Sequence, residues 1–181
     1  MRIVGGKYRN RRLHPPHEME ARPTTDFAKE GLFNVLQHSV ALEDIRVLDL
    51  FAGTGSVSIE FLSRGAAEVI SVDQDRKLFD FMQRTSTELG EPHWRMVKGD
   101  VFTFLRSHRG LYDIVFADPP FHMEGIERIP TLVMEAGLLG DQGLLIVEHH
   151  NKMDLSGAPG FQRVRSYGLI QFSFFSPVTT S

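Results

Sequence analysis

From Arg46 to His150 the chain repeats one pattern: a short apolar run, a helix-length segment, then another apolar run. The runs are "RVLDLFA", "EVISVDQ", "WRMVKG", "YDIVFAD" and "GLLIVEHH", and the segments between them begin near Gly55, Asp75, Val101 and Gly125. A strand that returns through a helix lies parallel to its neighbour, so the alternation predicts an α/β fold with a parallel sheet covered by helices on both faces. The tail "FQRVRSYGLIQFSFFS" differs, because two strand-like runs flank Tyr167 and Gly168 with no helix between them. A closing antiparallel hairpin is expected there.

Upstream, Thr25 or Asp26 is placed to cap a helix in which Phe27, Leu32, Phe33 and Leu36 recur at helical spacing. "HPPHEMEARP" reads as a linker, and "MRIVGGKYRNRRL", with Gly5 and Gly6 between short runs, as a small hairpin or extended arm. The expected organisation is a basic arm over residues 1–22 followed by a single domain over 23–181. A chain of 181 residues, 41% hydrophobic, can build one substantial core but not a second full domain. The absence of cysteine excludes disulfides and thiolate zinc sites. No run approaches membrane-spanning length and the first residues lack a signal-peptide core, so a soluble, cytoplasmic protein without a membrane partner is expected.

The net charge of −3 conceals an asymmetry. Residues 1–22 carry Arg2, Lys7, Arg9, Arg11, Arg12 and Arg22 against only Glu18 and Glu20. A basic arm on an acidic body suggests that a polyanion is met at one end.

In an open parallel sheet, ligands bind beyond the carboxyl ends of the strands. Three such ends carry suggestive residues. In "DLFAGTGSVSIE", Asp49 precedes a turn in which Gly53 and Gly55 allow close backbone approach, and Thr54 or Ser56 can cap the next helix. In "VISVDQD", Asp73 stands where a carboxylate accepts both hydroxyls of a ribose. In "KGDVFTFL", Asp100 can accept from an exocyclic amine of adenine while Val101 covers the ring. The third glycine of a dinucleotide fingerprint is replaced by Ser58, and Asp49 would repel a pyrophosphate. S-adenosyl-L-methionine, with ribose, adenine and a cationic amino-acid tail but no phosphate, fits this set better.

The stretch "YDIVFADPPF" ends a strand in an acid, two prolines and an aromatic. Proline fixes φ and has no N–H, so Pro119 and Pro120 make a stiff corner that offers acceptors. The Asp118 carboxylate and the Pro119 carbonyl are suited to take the two hydrogens of a nucleobase amine, favouring a tetrahedral nitrogen with its lone pair aimed at a methyl donor. Phe121 offers a face for a base turned out of its stack.

These residues carry a resemblance. "DLFAGTGSVSIEFLSRGA", "DPPF", "GGKYRNRRL" and "RPTTDFAKEGLFN" resemble the RsmD family of bacterial 16S ribosomal RNA guanine-N2 methyltransferases over nearly the whole chain. The resemblance implies a class I methyltransferase fold, Rossmann-like, with a mostly parallel seven-stranded sheet. It also implies S-adenosylmethionine as donor, and as substrate a guanine N2 in 16S rRNA of the small subunit or its assembly intermediate. By motif it assigns the donor pocket to Asp49, Ala52, Gly53, Gly55, Asp73, Gln74, Asp100 and Val101, and the target amine to Asp118, Pro119, Pro120 and Phe121. Arg22, Thr24 and Thr25 match an R-P-T block placed near donor or RNA, with Arg9, Arg11 and Arg12 positioning RNA through phosphates. The chain departs from the family at Asp73, where glutamate is common, and at Gly31, which interrupts a helix. A monomer is expected. Two other readings share parts of the pattern: an adenine-N6 DNA methyltransferase, for which the chain is short of a target-recognition domain, and a non-catalytic RNA-binding assembly factor. His149 and His150 adjoin on a strand end, so their side chains point to opposite faces and no metal site is expected.

Overall fold

The computed structural model describes residues 1–16 and 25–178. Seven strands form one sheet: β1 (Arg46–Leu50), β2 (Glu68–Asp73), β3 (Trp94–Lys98), β4 (Tyr112–Ala117), β5 (Leu139–His150), β6 (Phe161–Tyr167) and β7 (Ile170–Phe175). Their spatial order is β3-β2-β1-β4-β5-β7-β6. The first five pair in parallel, and β7 lies antiparallel between β5 and β6. The helices are α1 (Asp26–Gln37), α2 (Ser56–Ser63), α3 (Arg76–Leu89), α4 (Val101–Ser107) and α5 (Ile129–Glu135). Parallel sheet and terminal hairpin follow the sequence expectation.

Alternation along the strands sends side chains to two cores. Val47, Val69, Ile114, Phe116 and Phe172 pack with Phe33 of α1, Ile59 and Phe61 of α2 and Met82 of α3. Leu48, Leu50, Val72, Val115 and Val147 pack on the other face with Leu105 of α4 and Ile129 and Val133 of α5. Asp49 therefore shares the face of Val47 and is aimed toward α2, although it is a carboxylate in an apolar strand.

Each helix entry has its own cause. Thr25 caps α1 by accepting from Ala28 N at 3.2 Å, Asp75 caps α3, and Asp100 caps α4 by accepting from Thr103 N at 2.8 Å. Three details differ from the expectation. Phe27 is 69% exposed and lies off the buried face of α1, resting edge-on against Tyr167. β5 begins at Leu139, not Gly143, because an irregularity opposite Tyr112 and Ile114 lets the strand continue. The segment after Gly125 opens as a 3-10 turn over Ile126–Arg128 before α5 begins.

The first thirteen residues form a hairpin closed by an antiparallel bridge between Arg2 and Arg12. It is docked on the body: Ile3 is 1% exposed and belongs to the core of α1 and α2.

Candidate active site

At the carboxyl ends of β1 and β4 the chain connections diverge, β1 leading through α2 to β2 and β4 leading through α5 to β5. A cleft of about 790 Å³ opens there, within the size range of small-molecule sites. One wall holds Asp49, Ala52, Gly53, Asp73, Gln74, Asp100 and Val101, and the other holds Asp118, Pro119, Pro120 and Phe121. Both sets singled out in the sequence, apart from Gly55, thus face one cavity.

The walls are joined by backbone. Asp118 N donates to Leu50 O at 3.2 Å, Ala52 N to Val72 O at 3.0 Å, and Gly99 N to Asp73 O at 3.0 Å. Gly53 N donates to Asp73 Oδ2 at 2.8 Å and Asp75 N to Asp73 Oδ1 at 2.9 Å. Each Asp73 oxygen keeps lone-pair capacity for a ligand hydroxyl. Burial raises the Asp73 pKa above the ordinary carboxylate value, and the N–H bonds from Asp75 and Gly53 oppose the rise.

Asp49 is strongly perturbed by its surroundings. It is 1% exposed, and burial pushes its pKa from 3.8 to about 7; the Ser58 hydroxyl bond lowers it, while the Asp118 and Asp73 carboxylates raise it further. The Ser58 hydroxyl that donates to Asp49 also lies 2.6 Å from Ser71 Oγ, which accepts from Trp94 Nε1 at 2.8 Å. Ser58, which spoils the dinucleotide fingerprint, is thus the group that holds Asp49. Six acids line the cleft, Asp49, Asp73, Asp75, Asp100, Asp118 and Glu148, a set that favours a cationic ligand and disfavours a pyrophosphate. Arg76, at the rim, is paired with Asp80 at 3.0 Å.

Several assignments take a different form in the structure. Gly55 does not line the cleft: at φ 72 it caps α2, and a Cβ there would lie 2.5 Å from the Trp94 ring. Its glycine is needed for backbone conformation and for helix packing. Asp100 faces the cleft, but its Oδ1 is engaged by both the N–H and the hydroxyl of Thr103 at 2.8 Å. Phe121 lines the cleft and stands edge-on to His150 with ring centres 5.9 Å apart. Pro120 O accepts from Met123 N at 2.8 Å, whereas among the described residues no donor reaches the Pro119 carbonyl. Thr25 acts as a helix cap and does not border the cleft. Arg22 and Thr24 lie outside the described residues. Arg9, Arg11 and Arg12 are exposed on the hairpin, with Arg11 over the Tyr8 ring at 5.6 Å. His149 is buried and bonded to Ser173 Oγ at 2.8 Å, on the opposite face from His150.

The sequence reading missed Phe51, Glu148 and Ile170, which also line the cleft. Phe51 sits at φ 61, a conformation uncommon for an aromatic residue, directly before the glycine turn. Glu148 had a signal: an acid inside the apolar run "LLIVEHH" at a strand end, and it is 2% exposed.

A cleft at the β1/β4 switch point, on a seven-stranded sheet closed by an antiparallel hairpin, is the arrangement of a class I methyltransferase, and this chain is such an enzyme. The family described as conserved hypothetical protein 95 matches residues 1–176. Ribosomal RNA small subunit methyltransferase D of Escherichia coli is 35% identical over 159 residues, 88% of this chain and 79% of that protein. The chain belongs to this family, the RsmD methyltransferases. Among solved structures, Escherichia coli yhhF superposes with a TM-score of 0.87 at 32% identity, covering 98% of this chain and 97% of the other. Thermus thermophilus RsmC, solved with AdoMet and guanosine, shares the fold with a TM-score of 0.70 at 21% identity, over 88% of this chain and 45% of that one.

Proposed function

We propose that this enzyme methylates the exocyclic N2 of a guanine in 16S rRNA, with S-adenosylmethionine as donor. The observation that carries the reading is the opening of the Asp118–Phe121 corner and the Asp49–Asp73–Asp100 wall into a single cleft. The residues fit the donor: Asp73 is suited to the ribose hydroxyls, Asp100 and Val101 to the adenine, and Asp49 to the cationic tail. When bound, the donor supplies a methyl group on a sulfonium sulfur.

The chain's own part is orientation. An exocyclic amine is a poor nucleophile because its lone pair is delocalised into the ring. Two acceptors at a rigid corner, the Asp118 carboxylate and the Pro119 carbonyl, direct its hydrogens and turn the lone pair toward the donor wall. On this reading Asp118 also receives the proton that the amine loses. Phe121 supports the base by its ring, and Arg9, Arg11 and Arg12 hold RNA through phosphates without reading sequence. The rRNA substrate is supported by the named relative, which is a small subunit methyltransferase. The enzyme is proposed to act as a monomer in the cytoplasm, on the small subunit or its assembly intermediate; among the described residues no helix is long and apolar enough to cross a membrane.

The test supplies labelled donor with small subunits, naked 16S rRNA or duplex DNA, followed by nucleoside identification. Label in N2-methylguanosine from a ribosomal sample is the expected result. Label in N6-methyladenine from DNA would overturn the substrate class, and no label in any sample would revive a non-catalytic role.

A further inference from the structure

A buried ion pair links the N-terminal hairpin to the donor wall. Lys29 of α1 is 1% exposed, and its Nζ donates to Arg2 O at 2.6 Å and to Ser56 Oγ at 3.0 Å. Glu60 of α2, fully buried, stands 3.4 Å from the same ammonium and accepts from the N–H groups of Val4 at 2.6 Å and Gly5 at 3.3 Å. One pair thus grips three backbone groups of the hairpin on one side and the first residue of α2 on the other. Ser56 lines the cleft. Its neighbour but one, Thr54, also lines the cleft and donates from Oγ1 to Met1 Sδ at 3.3 Å, a second route from hairpin to glycine turn.

The arrangement uses the hairpin's charges selectively. Arg2 pairs with Asp26 at 3.3 Å and Glu30 at 2.8 Å, and Lys7 with Glu91 at 2.5 Å, so these two cations serve docking. Arg9, Arg11 and Arg12 form no ion pair among the described residues and face solvent. A buried ion pair is a poor device for stability alone, since apolar residues of similar volume hold elements together as well or better. Its best-attested use is to fix a register or bias a switch.

We infer that Lys29 is a positioning residue that couples the hairpin to the donor site, so that RNA held by Arg9, Arg11 and Arg12 strengthens donor binding. The inference rests on the functional reading above. Such coupling is reciprocal: bound donor strengthens RNA binding by the same factor.

The test is a titration of the full chain with sinefungin, a non-transferable donor analogue carrying an amine in place of the sulfonium, with and without saturating 16S rRNA transcript. The wild-type protein is expected to bind sinefungin about 5-fold or more tightly when RNA is present. In Lys29→Met that ratio falls toward one. Ser63→Ala provides a second variant outside the cleft: Ser63 Oγ donates to Gly5 O at 2.5 Å and accepts from Tyr8 N at 2.9 Å, so its loss loosens only the hairpin. Its ratio falls as well. A purely structural role would lower thermal stability in both variants but leave the ratio at its wild-type value, and that result overturns the inference. A wild-type ratio of one, with both ligands bound, also overturns it. Failure to bind sinefungin at all sinks the functional reading instead, and the coupling with it.

Discussion

The backbone N–H of Asp118 donates to the carbonyl of Leu50 at 3.2 Å, which ties the first residue after β4 to the last residue of β1. Through this bond the acid-proline corner and the glycine turn hold a fixed separation set by the sheet, not by loop conformation. The two prolines stiffen one side, and the Asp73 carboxylate, gripping Gly53 N at 2.8 Å, stiffens the other. Preorganisation of this kind is what an in-line transfer requires.

If Asp49 faces the cationic tail of the donor as proposed, donor affinity is expected to depend on pH. In the donor-free protein its pKa is raised to about 7, so below that pH the carboxyl is largely neutral and a cationic donor must drive off its proton. Donor affinity is therefore expected to weaken by about 10-fold between pH 8 and pH 6, with Asp49→Asn flattening the profile. The sign for stability is the reverse. A carboxyl whose folded pKa lies above its unfolded value stabilises the fold below the unfolded pKa, and that contribution is lost as pH rises through about 7. Calorimetric titrations and melting curves at several pH values check both.

Ser58→Ala removes the hydroxyl that joins Asp49 to Ser71. The variant is expected to lose about 1–3 kcal/mol of stability, the usual consequence of leaving buried polar groups short of a partner. Because the Ser58 bond holds the Asp49 pKa down, its removal moves the midpoint of the donor-affinity profile to higher pH. An unchanged midpoint in the same titration would separate Ser58 from the cleft's electrostatics.

Gly31→Ala tests a helix glycine that propensity alone marks as a weakness. Alanine should gain up to ~1 kcal/mol in a helix interior. Here its Cβ would lie 2.1 Å from the Tyr167 ring, which is held edge-on by Phe27 and Phe172. Overpacking of this kind costs about 1–3 kcal/mol, so the variant is expected to melt lower than the wild type. In a Tyr167→Ala background the same change becomes stabilising, which denaturant unfolding of all four proteins measures.

The contrast between Gly31 and Asp49 shows what the sequence could reveal. Strand ends, the Thr25 cap of α1 and the cleft's two walls were legible because they depend on local periodicity and on residue types with few alternatives, such as Asp49, Asp73 and the proline pair, whereas the cap expected from Thr54 or Ser56 is replaced by Gly55 with no side-chain bond. Gly31 was not legible, because its reason lies 136 residues away in Tyr167 on the closing hairpin. Ser58 was read as a departure from a fingerprint, since its hydroxyl gains meaning only when β1, β2 and β3 bring Asp49, Ser71 and Trp94 around it. Phe51 gave no signal, as its positive φ is imposed by the turn. The sequence allows a small hairpin or an extended arm at the N-terminus, and the hairpin's docking is not legible because it depends on Lys29 and Glu60, two charges that a helical pattern would place at the surface.

The most direct measurement of the central claim compares Asp118→Ala with the wild-type enzyme in two assays on the same preparation, donor binding and single-turnover methylation of small subunits. If one cleft holds donor and target base on separate walls, donor Kd stays within about 3-fold while the methylation rate falls by roughly 100-fold or more. A parallel loss of donor affinity and rate would place Asp118 on the donor's side, and an undiminished rate would remove it from the chemistry.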